Sequence, residues 1–355
     1  MTMATRPTMS QARLFALLIA ELRPEVHRAF MASVTDLQAN VDWRALLDAL
    51  ARFDTPAAIA ALHIDPAAWA EYSSVMTDTY AKAGASTAAQ IQAQGLAGIG
   101  NRFRMTSPGA QEWIAENVAG RVVGFSQEQA EVARRVIESG YAQGQGPRNI
   151  AVDLVGRATG GTAREGGVLG LDGPRAARLQ AVTEGMRTAE GVRALVIEHV
   201  DGTLSVRYQV NTATEQRILK AYKAGKAVPD AERAISERQY RNALLKARAD
   251  TVAETETANA VMSARMEQWK QLADSGVVDP ANVIKTWRHR RGASLYHRPD
   301  HLAKSGKSVR GLFTPFVFPD GAALQFAHDP KGGAKHVIRC GCDTEFRVDH
   351  AAGLE

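Results

Sequence analysis

Two histidines and two cysteines near the C-terminus have the side chains of a zinc site. His297-x-x-x-His301 lies about forty residues before Cys340-x-Cys342. Two imidazoles and two thiolates form a tetrahedral ligand set that Zn²⁺ accepts, although structural zinc sites usually have two or more residues between paired cysteines. The alternative is a pair of small buried cysteines that end a strand, with both histidines on a polar loop. Zinc at these four residues is thus a candidate cofactor, and the sequence calls for no other.

The same side chains could also support catalysis. Either cysteine could be a nucleophile with His301 as its base, and clusters of His, Arg and Tyr can cleave RNA. No third group that would orient the histidine is evident in the sequence, so we expect a protein that is not an enzyme. The alternative is a C-terminal nuclease or nucleotidyl-modifying domain, similar to a toxin, that uses His297, Arg298, His301 and the cysteines.

Positive charge is concentrated in the same part of the chain. The last 75 residues contain 12 Lys/Arg and 7 Asp/Glu, so they account for the whole net charge of +5. Cations interleaved with Trp287 and Tyr296 are typical of contact with a phosphate backbone and exposed bases. The alternative is a solvated basic loop. The predicted nucleic-acid-binding residues are Lys285, Arg288, Arg290, Arg291, Arg298, Lys304, Lys307 and Arg310.

Composition indicates a mainly helical chain. Of the 355 residues, 45% are hydrophobic but only 6% are aromatic, and the apolar residues are mostly Ala and Leu, which favour helix. Two cysteines separated by one residue cannot connect distant parts of a chain, which favours a reducing compartment. No stretch reaches the roughly 20 apolar residues that cross a bilayer, so we predict no membrane segment.

Capping signals predict where several helices begin and end. A cap followed by proline, either directly or after one residue, predicts helix starts at Asp54, Asp65, Ser107, Gly146 and Asp172. Ser126-x-x-Gln129 resembles a capping box at the start of another helix. Gly84 is expected to end a helix that starts at Ala67.

Three longer stretches complete the helical part. Residues 156–174 are rich in glycine and predict a loop, but they lack the G-K-[ST] ending of a phosphate-binding loop. Residues 195–210 alternate between apolar and polar, which predicts a β-ribbon. Residues 230–275 contain no internal Gly or Pro, and they predict either one long helix or two helices with a bend.

Beyond Gly276 the pattern changes to short strands, predicted at 283–287, 313–318, 324–327 and 337–340. The predicted fold class is mainly α, with an elongated multi-helix body and a long helical arm, followed by a small β-rich (α+β) domain. The predicted domains are an N-terminal helical region (1–125), a helical body (126–276) and a basic C-terminal domain (277–355).

An ordered set of short motifs runs through the chain. Its C-terminal members are Thr255-Glu256, Asn259, Gly276, Trp287, Arg298-Pro299-x-His301, Gly306-Lys-x-Val309, Phe318-Pro-Asp-Gly321, Asp329-Pro330 and Cys340-x-Cys342. Its upstream members are Asn101-Arg-Phe103, Ser107-Pro108, Trp113, Gly140-Tyr-Ala-Gln-Gly144, Pro147-Arg148 and Ile150. In this order, over roughly residues 45–345, the set resembles the tailed-phage head morphogenesis family, the minor capsid proteins similar to Mu protein F.

The resemblance implies a phage or prophage minor head protein, made in the host cytoplasm and placed inside the head near the portal. Such a protein would associate with portal or major capsid protein, assist procapsid assembly and act in DNA packaging or ejection. We expect the helical body to dock on the portal or capsid and the C-terminal domain to contact DNA. Three positions depart from the family pattern: Ser294, Arg339 and Gly341 stand where Asp, Asn and Arg are usual.

Overall fold

The computed structural model describes residues 9–96, 98, 101–160, 163–290 and 297–350. It is mainly α-helical with a few small antiparallel sheets, as the composition predicts. The helices are α1 (Gln11–Ala39), α2 (Trp43–Ala51), α3 (Thr55–Ala60), α4 (Ala70–Ala93), α5 (Pro108–Trp113), α6 (Gly120–Ala142), α7 (Pro147–Val155), α8 (Gly173–Gly185), α9 (Ala189–Leu195), α10 (Thr212–Ala224), α11 (Asp230–Asp274), α12 (Pro299–Lys304) and α13 (Gly333–Val337). The strands are β1 (Arg157–Gly160), β2 (Ala163–Glu165), β3 (Val196–Glu198), β4 (Leu204–Val206), β5 (Val283–His289), β6 (Ser308–Arg310), β7 (Phe316–Val317), β8 (Ala323–Leu324) and β9 (Cys342–Val348).

The long helix α11 is continuous over 45 residues, which decides between the two predicted forms. At 1.5 Å per residue it is roughly 68 Å long. Asp230 and Glu232 lie in its first turn, where their negative charges interact favourably with the helix dipole and stabilise the N-terminus. At the other end, Gly276 adopts a positive φ of 72°, and the Val277 amide donates to the Leu272 carbonyl at 3.1 Å, which ends the helix.

The chain forms two compact units. The first contains the described residues of Met1–Phe30, Glu71–Arg121 and Thr251–Glu355, and the second those of Met31–Ala70 and Val122–Asp250. Each unit is therefore assembled from separated ranges, whereas the predicted domains are three consecutive ranges.

In the first unit, the C-terminal strands pack against the start of α1 and the end of α11. The strands form a three-stranded sheet in the order β6-β5-β9 and a separate β7-β8 hairpin. Trp269 of α11 stacks on Phe346 of β9 with ring centroids 5.7 Å apart. The Gln11 side chain accepts from the Phe346 amide at 2.9 Å and donates to its carbonyl at 2.5 Å. The β-rich segment is thus packed together with helices of the same unit.

In the second unit, the glycine-rich stretch is held by buried polar side chains. Arg241 donates to the carbonyls of Gly167 at 3.1 Å and Leu169 at 2.9 Å. Arg248 donates to the Gly170 carbonyl at 2.9 Å. A phosphate cradle presents backbone N–H groups to its ligand, but here carbonyl oxygens point to buried guanidinium groups. Within the predicted loop, β1 pairs with β2 in antiparallel orientation, and β3 pairs with β4 within the predicted ribbon.

The strands predicted at 313–318 and 324–327 are shorter in the structure, at Phe316–Val317 and Ala323–Leu324. Three further local predictions are wrong. Gly84 lies inside α4 and does not end a helix. The residue is a glycine because a Cβ there would lie 2.3 Å from Cδ1 of Phe103, so this position needs a residue without a side chain. Ser126 is no cap, since it lies inside α6, while Gln129 binds the backbone of Gly170 and Leu171. Residues 337–340 are not a strand: α13 ends at Val337, a turn follows, and β9 starts only at Cys342.

We expect the change Arg241→Met to loosen the glycine-rich loop of the second unit. Burial lowers the pKa of Arg241 to about 10, so it stays charged at neutral pH, and its removal leaves two buried carbonyls without these donors. The expected loss is about 2 kcal/mol. Hydrogen exchange should show faster exchange of the amides between Gly167 and Leu171. The control Arg238→Met removes an exposed ion pair with Glu165 and should change these exchange rates little. Equal exchange rates in the two variants would contradict the role of Arg241 in holding the loop.

Candidate functional site

Strand pairing and two short helices bring the histidines and cysteines of the first unit together. Strands β5 and β9 are antiparallel, and their register places His289 directly opposite Cys342. Directly opposed residues have Cβ atoms about 4.5–5.5 Å apart. Helix α12 supplies His301, and Cys340 follows α13 shortly before β9 begins.

Three of the predicted metal ligands form one cluster. The Nδ1 atom of His301 lies 3.4 Å from Sγ of Cys340 and 3.7 Å from Sγ of Cys342. The ligand atoms of all three residues lie within 4.8 Å of one another. His289 is not part of this group, but its Nδ1 lies 3.3 Å from Sγ of Cys342. This donor set could hold a divalent metal ion.

The fourth predicted ligand, His297, is not placed beside the cysteines. Its Nδ1 lies 3.0 Å from Nε2 of His289, so it contacts the imidazole that does reach Cys342. His289 is the residue that sequence reasoning missed. Only the register of β5 against β9 places it there, and no spacing in the sequence reports a register between strands about fifty residues apart.

A line of polar groups extends from His301 away from the thiols. Nε2 of His301 lies 2.9 Å from Nδ1 of His336, and Nε2 of His336 lies 3.0 Å from Oδ2 of Asp320. Lys335 also binds this carboxylate. The hydrogen bonds that Asp320 accepts from Lys335 and His336 lower its pKa, so the line of polar groups ends in a carboxylate that stays ionised.

Aromatic rings enclose the cluster. Trp287 meets His301 edge-on with ring centroids 5.2 Å apart, and Phe318 lies 5.1 Å from the same imidazole. His301, Cys340 and Cys342 are 1%, 6% and 1% exposed. A hydrogen bond from Cys342 lowers the pKa of Cys340 well below its ordinary value, and the same bond raises the pKa of Cys342. The pair therefore loses one proton easily and holds the other.

The proposed catalytic arrangement gains an orienting group but has no access for a substrate. His336 and Asp320 orient His301 as the third member of a catalytic triad would. However, the nucleophile and the base are both almost fully buried. Arg298, which the nuclease alternative also requires, donates instead to the carbonyls of Lys335 at 2.5 Å and Ile338 at 2.6 Å. These contacts are those of a structural residue.

The predicted nucleic-acid-binding cations have different environments. Lys285 is fully buried, and its Nζ donates to the Gln325 carbonyl at 2.8 Å, so its assignment to a phosphate-binding surface is wrong. Arg290 is half-buried with its guanidinium 4.5 Å above the ring of Phe15. Arg291 lies outside the described residues. Lys285, Arg290 and Arg298 thus stabilise the fold.

The remaining cations lie at the surface of the first unit. Arg288 is paired with Glu345 at 2.8 Å and Arg310 with Asp349 at 2.7 Å. Lys304 and Lys307 line a surface cavity of about 550 Å³ together with Asp300. Because Lys304 and Lys307 would not have to leave those carboxylates, they are the better candidates for binding phosphate.

Comparison with known proteins finds no match to a family model, a curated protein or a solved structure. Within the described part of the chain, no helix is both long and apolar enough to cross a membrane.

The buried Lys285 predicts a specific dependence of stability on pH. Burial lowers its pKa to about 7 in the folded protein, whereas an unfolded lysine has a pKa near 10.4. Between these values the unfolded chain holds a proton that the folded chain lacks, so Lys285 makes stability rise with pH from about 7 to about 10. Below about 7 its contribution is constant.

We expect Lys285→Met to remove this dependence. The difference in free energy of unfolding between the variant and the parent protein should change by a few kcal/mol in favour of the parent protein from about pH 7 to pH 10. Chemical denaturation at several pH values measures this difference. The control Lys223→Met changes an exposed lysine of α10 and should give a constant difference; a constant difference for Lys285→Met as well would contradict a neutral buried lysine.

Proposed function

We propose that this chain is a minor head protein of a tailed phage or prophage that acts without catalysis. The observation that carries the proposal is where the structure places the ordered motifs. In the first unit, motif residues that are far apart in sequence contact one another or the same few elements. A family pattern maintained by folding requirements would consist of such contacts.

The upstream motifs of the first unit contact α4 and α11. Phe103 lies against Gly84 and 5.6 Å from the ring of Tyr80. Trp113 stacks on Tyr80 with centroids 4.1 Å apart. Ser107 donates from Oγ to Glu267 of α11 at 2.6 Å.

The motif residues of α11 contact the C-terminal segment. Asn259 donates to the His328 carbonyl at 3.2 Å, beside the Asp329-Pro330 motif. The Arg339 amide donates to Oγ1 of Thr255 at 3.2 Å. Arg339 has a φ of +50°, a conformation that Asn tolerates better than most residues. A backbone of this shape explains why relatives would favour Asn here.

The motif in the second unit also has a packing role. A Cβ at Gly140 would lie 2.6 Å from Cγ1 of Ile150, so the glycine of α6 allows close approach of α7. Gly140 and Ile150 are both members of the upstream motif set, and their contact accounts for one small and one branched residue ten positions apart.

Burial favours this function over the nuclease or nucleotidyl-modifying alternative. The cysteines and His301 are enclosed, and Arg298 is engaged with backbone carbonyls. A macromolecular substrate would need direct access to these groups. We propose a location in the head near the portal, where the chain would assist procapsid assembly and contact packaged DNA.

Association with the portal is the direct test of the proposal. We expect the full chain, expressed together with the portal protein encoded beside it in the same phage or prophage, to elute with the assembled portal ring on size exclusion. A portal ring from an unrelated phage serves as the control and should elute without it. Separate elution from its own portal, and absence from purified heads by mass spectrometry, would contradict the proposal.

Contact with DNA is tested by the salt dependence of binding. If Lys304 and Lys307 each neutralise one phosphate, the change of both to Ala should lower the slope of log K against log salt by about 1.8. Fluorescence anisotropy with duplex DNA of mixed sequence measures this slope. The control Lys220→Ala/Lys223→Ala has the same charge change on α10 of the second unit; an equal loss in both variants would show that only net charge matters.

A further inference from the structure

We propose that the first unit binds one zinc ion through Cys340, Cys342, His301 and His289. This inference is independent of the proposed function, because a structural zinc ion would be compatible with either a head protein or an enzyme. It differs from the sequence-based ligand set in one residue: His289 replaces His297.

Three of the distances between the donor atoms are those of a tetrahedral zinc site. With Zn–S near 2.3 Å and Zn–N near 2.05 Å, tetrahedral angles place S and N about 3.6 Å apart. The observed S–N distances are 3.4 Å and 3.7 Å to His301 and 3.3 Å to His289. Three of the six edges of the tetrahedron therefore already have nearly the required length. His289 is not among the donors that all lie within 4.8 Å of one another, so we expect metal binding to draw its Nδ1 closer to Cys340 and His301.

Strand geometry explains how a single residue between the cysteines can suffice. Residues i and i+2 of an extended chain point to the same face. Cys342 is the first residue of β9, and Cys340 is two residues before it. Both thiols can therefore point towards His301, while the register of β5 supplies His289 beside Cys342.

Hydrogen bonds outside the donor set are compatible, for both imidazoles, with the tautomer that zinc requires. Each histidine presents Nδ1 to the cysteines and has Nε2 on an outer imidazole, His336 for His301 and His297 for His289. If Nε2 carries the proton, Nδ1 keeps a free lone pair for the metal. On the His301 side, His336 then accepts at Nδ1 and donates from Nε2 to the Asp320 carboxylate. Such outer partners are a regular feature of zinc-bound histidines.

Charge balance also favours a divalent cation. Two thiols that lose their protons place two negative charges in a nearly water-free pocket, which is costly without compensation. Zn²⁺ cancels both charges, and the two protons leave to solvent when the metal binds. The neutral imidazoles add no charge, so the loaded site is neutral.

The first experiment uses the unaltered full chain. We expect about one zinc ion per chain by elemental analysis after dialysis, and an X-ray absorption spectrum that fits two sulfur ligands near 2.3 Å and two nitrogen ligands near 2.0 Å. Two thiols that react fully with a thiol reagent in the absence of chelator, or a Cys340–Cys342 disulfide, would overturn the site. A sulfur count other than two would overturn this ligand set.

The second experiment identifies the fourth ligand in the cobalt-substituted protein. His289→Ala should abolish or change the intense visible bands of tetrahedral cobalt, whereas His297→Ala should keep the bands and weaken metal affinity by roughly 10–100-fold. His199→Ala, in the second unit, is the control and should change neither. If His297→Ala abolishes the bands while His289→Ala keeps them, the assignment of His289 is wrong. Circular dichroism of each variant separates loss of metal from loss of fold.

Discussion

Antiparallel pairing of β5 with β9 is the constraint on which the first unit depends. Seven consecutive residue pairs, from Val283↔Val348 to His289↔Cys342, fix which side chains face the core. Because side chains alternate between faces, a slip of one residue would move Trp287 out of the core and separate His289 from Cys342. The same register exposes the Phe346 backbone to Gln11 of α1. A single pairing therefore sets the aromatic core, the thiol cluster and the attachment of α1.

Helix α11 supports this sheet with polar side chains that are buried. Arg265 is fully buried and donates to the carbonyls of Thr344 at 3.0 Å and Gln11 at 3.1 Å. Burial raises the pKa of nearby Asp343 and lowers that of Arg265 to about 10, while their opposite charges counteract both shifts. Removal of the Arg265 side chain would leave two carbonyls without these donors, which typically costs about 1–3 kcal/mol for each buried group. The contact of Arg265 with these carbonyls is thus specific, since an apolar side chain could not bind them.

The burial of polar side chains explains which parts of the fold could be predicted from the sequence and which could not. Helix starts that depend on local chemistry were predictable: Asp54, Ser107 and Asp172 each accept a backbone hydrogen bond at the start of their helix. The tertiary role of α11 was not, because its buried residues include Thr257, Gln268 and other polar side chains that an amphipathic pattern assigns to solvent. The wrong prediction at Gly84 has the same cause. A glycine that makes room for the ring of Phe103 resembles a helix end when its packing partner is unknown.

The candidate site shows the same division between local and distant information. Residue type brought His301, Cys340 and Cys342 into one predicted set, because two imidazoles and two thiolates suit zinc. Charge was a weaker guide, since cations serve two purposes that composition does not distinguish. Lys285 and Arg298 bind backbone carbonyls inside the unit, whereas Lys304 and Lys307 line a cavity at its surface. A positively charged segment therefore indicates a binding surface only for those cations whose side chains do not already bind backbone carbonyls inside the fold.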